Sequence, residues 1–114
     1  MSLSLYFISE RCPTCGRYDE GPEGINITHN LIGMAEEAGI YGMVWRPKEN
    51  GIVHLRQLID PLVSAIAQME EDPDRFKKYD DPNDWGTYEQ FLPWLKKLLR
   101  ICENNPNAEI EACR

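Results

Sequence analysis

Two thiolates separated by two residues can grip a single metal ion. Cys12-Pro13-Thr14-Cys15-Gly16 has that spacing, with a glycine that lets the backbone fold beneath the sulfurs. It is half of a zinc site, because a structural zinc takes four ligands and no second Cys-x-x-Cys follows. Cys113 is the best third ligand, since a final strand pairing with the first would bring it toward this turn. Cys102, His29, His54 and nearby carboxylates are further candidates. Thiol–disulfide enzymes use the same spacing, but they place the first cysteine at a helix N-terminus, where the dipole lowers its pKa. Here Gly16-Arg17-Tyr18-Asp19-Glu20-Gly21-Pro22 follows, too interrupted to form a useful helix, and Arg17 alone would favour a thiolate. The third reading is a tight turn whose cysteines bind nothing. The cofactor expectation is therefore none, or zinc held by Cys12, Cys15 and Cys113.

Other residue types narrow the chemistry. His29 and His54 each precede a helix start, where a histidine is more often a capping or hydrogen-bonded residue than a base. No Ser-His-Asp or Cys-His arrangement follows from spacing, and the scattered glycines make no phosphate-binding loop. The acidic residues Glu70, Glu71, Asp72, Asp74, Asp80, Asp81 and Asp84 lack the spacing of a calcium loop and read as helix-end carboxylates on a solvated connection. Trp85-Gly86 either packs the entry to the helix that follows or marks a binding patch; an exposed tryptophan would indicate an interface. The expected contact residues for a ligand or partner are Arg17, His29, Arg46 and Trp85, on the 12–28 face and the loops around Arg46 and Trp85.

The elements that position these residues follow from periodicity. Tyr88, Phe91, Leu92, Leu95, Leu98, Leu99 and Cys102 share one helical stripe, with Glu89, Lys96, Lys97, Arg100 and Glu103 opposite. Thr87 and Gln90 form a capping box at its start, Asn104-Asn105-Pro106 closes it, and Pro93 predicts a kink. Leu3, Leu5 and Phe7 alternate with polar neighbours as in a half-buried strand that twists or ends at Ile8, and 24–28 reads as a second strand antiparallel to it. Tyr18 to Gly24 reads as an exposed loop. Asn30 caps a helix from Leu31 to about Ala38, stopped at Gly39-Ile40. Tyr41 to Trp45 is either extended or helical, and Arg46 to Gly51 is a loop. Leu55, Leu58, Ile59, Leu62, Ile66 and Met69 mark another helix, which Pro61 either starts or bends. A short helical turn runs from Pro73 to Tyr79, and Ala108, Ile110 and Ala112 alternate as a final strand. The fold expected is α+β: a small antiparallel sheet, two N-terminal strands plus a C-terminal strand, packed on three or more helices in a single domain, 1–114.

At 114 residues, 42% of them hydrophobic, the chain can bury a real core without a metal or disulfide. Its net charge of −7 argues against direct phosphate binding, and so against nucleic acid as a partner. No apolar run is long enough for a bilayer, so no membrane association is expected. Four cysteines without a targeting segment point to reduced thiols and a cytoplasmic setting.

Cys12-Pro13-Thr14-Cys15-Gly16, Asn26-Ile27-Thr28-His29-Asn30, and Asn83-Asp84-Trp85-Gly86-Thr87-Tyr88 with Asn105-Pro106 resemble a group of small uncharacterised phage and bacterial proteins. The resemblance spans most of the chain and implies an accessory or host-interaction role. Pro93 departs from that pattern, and the group assigns no functional residue to carry over. The leading expectation is a small acidic binding protein, of the kind of a phage or prophage accessory factor, contacting a host protein or a small ligand. The alternative is an enzyme, metal-assisted or thiol-redox, built on the Cys12–Cys15 turn.

Overall fold

Alternation along the first strand sets the architecture. In the computed structural model, which describes residues 2–11, 18–20 and 24–114, Leu3, Leu5 and Phe7 of β1 (Ser2–Arg11) are buried while Ser2 and Tyr6 face out. This strand runs past Ile8 to Arg11, longer than its alternation predicts, with a register irregularity between those two residues. β2 (Tyr18–Glu20) stands where composition predicts an exposed loop. Its backbone bonds to β1, and a ladder does not require apolar side chains. β3 (Ile25–Thr28) pairs antiparallel with β1 as expected.

Leu5 faces Ile25 on one side and Ala112 on the other; Ile8 faces Glu20 and Glu109. β2 and β3 therefore lie end to end along one edge of β1. β4 (Glu109–Cys113) lies antiparallel along the other. Its outer edge is capped by residues 53–55: Ile110 N–H donates to Val53 O at 3.1 Å and Leu55 N–H to Ala108 O at 2.9 Å.

The helices cover the buried face. After a 3-10 turn (His29–Leu31) comes α1 (Ile32–Glu37). The residue that caps the turn is Thr28, whose hydroxyl accepts from Asn30 N–H at 3.3 Å, in place of the expected Asn30. Gly39, at φ +76, stops α1: its N–H bonds to Glu36 O and that of Ile40 to Ala35 O, both at 3.0 Å. These two bonds and the buried Ile40 are a Schellman ending, as the sequence predicts. Tyr41–Trp45 is helical, α2. α3 (Arg56–Glu71), α4 (Pro73–Lys77) and α5 (Tyr88–Asn104) complete the set. Pro61 and Pro93 each sit sixth in their helix, and both helices continue through them. The carbonyls left without donors belong to the exposed Gln57 and Glu89, where water can bond them.

Tyr88, Phe91, Leu95, Leu98 and Cys102 of α5 are buried, with Leu92 and Leu99 partly so. Trp94, absent from the predicted stripe, is also buried and stacks on Phe91 at 6.1 Å. Phe91 meets Trp45 edge-on at 6.3 Å and Trp45 meets Tyr41 at 5.8 Å, so an aromatic row fastens α2 to α5. The capping box at Thr87 and Gln90 is present as predicted. One continuous core joins the sheet to all five helices.

Candidate functional site

Between α4 and α5 the chain reads Asp80-Asp81-Pro82-Asn83-Asp84-Trp85-Gly86-Thr87, a run of turn-forming residues. Pro82 presets the second position of a turn closed by Asp84 N–H on Asp81 O at 3.0 Å. The Asp81 carboxylate accepts from the N–H of Asn83 at 3.0 Å and of Trp85 at 3.3 Å. Asp81 N–H bonds to Gly86 O at 3.0 Å. Asp84 adopts φ +59, a left-handed conformation that its short polar side chain tolerates.

This turn is tied to the body at both ends. Asp80 Oδ1 accepts from Tyr88 N–H at 2.7 Å, satisfying one of the free donors of the α5 N-terminus. Gln90 Nε2 donates to Asp84 O at 3.2 Å while its Oε1 accepts from Thr87 N–H. From 55 residues away, Asn30 Nδ2 donates to Trp85 O at 2.7 Å. Gly86, at φ +125, lies so close to the 3-10 turn that a Cβ there would come within 3.0–3.2 Å of Thr28, Asn30 and Leu31.

Both backbone polar groups of Trp85 are therefore bonded, yet its side chain is 72% exposed. The alternative in which it packs the entry to α5 is thus corrected: the buried Gly86 does the packing and turns the indole outward. Tyr6, Val53 and Val63 are the other exposed large apolar side chains among the described residues, and all are less exposed than Trp85.

The structure brings His29 to this turn through its neighbour Asn30; the Nε2 of His29 is buried with no hydrogen-bond partner among the described residues. Arg46 lies elsewhere, in a cleft of about 180 Å³ between the loop after α2 and β4. Its Nε donates to the Tyr41 hydroxyl at 3.2 Å and its NH1 to Glu49 at 3.3 Å, contacts that raise its pKa in that order. Lys48 pairs with Glu111 across the same cleft at 3.1 Å. Arg46 and Lys48 thus each have a carboxylate partner already.

Cys12, Cys15 and Arg17 lie outside the described residues. Cys113 is exposed and stands opposite Ser4. Arg11, the last described residue before Cys12, is seven residues further along β1, about 23 Å at the rise of a strand. Among the described residues no group of three or more His, Cys, Asp and Glu side chains is placed to hold a metal ion. None of their helices is long and apolar enough to cross a membrane.

Asn30, Asp81 and Gly86 position Trp85, and sequence reasoning assigned none of them that role. The density of turn residues from Asp80 to Gly86 is the signal that points to an ordered loop, where the acidic composition reads as a solvated connection. Comparison with protein-family models, with curated proteins and with solved structures finds no match.

Proposed function

We propose that this chain is a small acidic binding protein that docks a protein partner through the Trp85 loop. The observation that carries this reading is a tryptophan 72% exposed on a backbone bonded at both its N–H and its C=O. Such a side chain gains little from the fold that presents it, whereas on association it buries a large apolar surface. Tryptophan is enriched among the few residues that dominate interface energies. The bonds from Asn30, Asp81 and Gln90 hold the loop before any partner arrives, so little ordering entropy is lost on docking. The resemblance to small phage and bacterial proteins makes a host protein the partner to look for.

The test is capture by immobilised wild type, Trp85→Ala and Val63→Ala, the last removing a different exposed apolar side chain. A partner retained by wild type and Val63→Ala but lost from Trp85→Ala is the expected result. Equal retention by all three would overturn the assignment.

A further inference from the structure

The charge around Trp85 bears on what kind of segment docks there. Asp80, Asp81 and Asp84 share its turn, and none of the three belongs to an ion pair among the described residues, although Glu37, Glu49, Glu70 and Glu111 all do. The nearest cations along the chain are engaged elsewhere. Lys77 lies over the Tyr88 ring at 5.4 Å; Lys78 lies over Tyr79 at 5.3 Å and within 3.9 Å of Glu37. The exposed indole thus shares its turn with three carboxylates that have no cationic partner among the described residues, on a chain whose net charge is −7.

Resting on the reading of Trp85 as an anchor, we infer that the partner's docking segment is cationic and presents arginine to the indole. The face of an indole attracts cations, a planar guanidinium stacks on it, and carboxylates alongside steer and hold the same charge. An anionic segment would be repelled by three carboxylates that have no ion-pair partner among the described residues, and a purely apolar one would strip water from them without supplying a countercharge.

The experiment is a calorimetric titration of the full chain with hexa-arginine amide, hexa-lysine amide and hexa-glutamate, at low and at physiological salt. The variants are Trp85→Ala, Asp84→Asn and Glu103→Gln. Asn tolerates the left-handed backbone of Asp84, whose side chain makes no hydrogen bond among the described residues, so this variant keeps the turn. Glu103 is exposed at the far end of α5 and reproduces the same charge change about 22 Å along the helix. Expected are arginine binding tighter than lysine, weakening by about tenfold in Trp85→Ala and about threefold in Asp84→Asn, no change in Glu103→Gln, and loss with salt.

Equal weakening in Asp84→Asn and Glu103→Gln, or none in Trp85→Ala, would reduce the binding to net charge and overturn the inference. Tighter binding of hexa-glutamate would overturn it too. If hexa-arginine does not bind while Trp85 still governs partner capture, the cationic assignment falls and the anchor stands. If capture is indifferent to Trp85, the anchor itself falls.

Discussion

Gly86 and Gly39 both occupy conformations with positive φ, but for different reasons. At Gly39 nothing lies within 4 Å of a built Cβ, so Gly39→Ala carries only the left-handed backbone penalty, about 1 kcal/mol. At Gly86 the added carbon would also press on Thr28, Asn30 and Leu31 at 3.0–3.2 Å. Gly86→Ala should therefore cost more, about 2–3 kcal/mol by urea denaturation, and should weaken partner capture as the loop lifts away. Equal costs at the two sites would mean that the loop is not seated on the 3-10 turn. That seating was not legible in the sequence. The residues that create it, Asn30 and Trp85, are separated by 55 positions, and Asn30 also suits the local capping role first read for it.

Among the elements, α5 is the one on which the others converge. Phe91 is fully buried between Trp45 and Trp94, and Phe91→Ala should cost about 3–5 kcal/mol. Leu98 is fully buried and Leu99 only partly, so Leu98→Ala should cost about 2–5 kcal/mol and Leu99→Ala clearly less. Chemical denaturation of the three variants ranks them; a Leu99 cost matching that of Leu98 would refute the orientation of the helix. This orientation was readable because a 3.6-residue period and a capping box are local signals. Trp94 escaped the stripe because it lies at its margin, where tertiary packing rather than the period decides burial; its ring stacks on Phe91. β2 escaped because its glycine- and acid-rich surroundings read as loop, while the bonds that make it a strand come from the backbone of β1. The alternation of β4 fixed which face is buried but not how far along β1 it would sit, and that distance is what places Cys113 opposite Ser4.

For the molecule as a whole, stability should fall at both ends of the pH scale. Arg75 Nε donates to Glu37 Oε1 at 2.9 Å and its NH2 to Glu37 O at 3.1 Å, tying α4 to the end of α1. That hydrogen bond lowers the Glu37 pKa, so its contribution is present above the ordinary carboxyl range and is lost as pH falls through the lowered folded value. Arg75→Gln should reduce stability more at pH 7 than in acid, where the carboxylate is protonated, and so flatten the acid slope. On the alkaline side, burial pushes the Cys102 thiol up to about 12 from 9.0. A buried thiol that resists ionisation stabilises the fold below the unfolded value, and this support drains away as pH rises from there toward about 12. Burial and Glu70 raise the Tyr88 phenol as well, and its hydroxyl donates to Met69 O at 2.8 Å. Urea titrations across pH 7 to 10.5 should show Cys102→Ala declining less steeply than wild type.

The pairing of β1 with β4 has a consequence during synthesis. Ser4 and Cys113 are register partners 109 residues apart, and closing so long a loop costs about 4 kcal/mol of chain entropy. On the ribosome β1 can zip to β3 early, but its opposite edge stays bare until β4 leaves the exit tunnel. Between the synthesis of β3 and that of β4 the nascent chain therefore carries an open, apolar-backed strand edge, and chaperone engagement would concentrate on that edge.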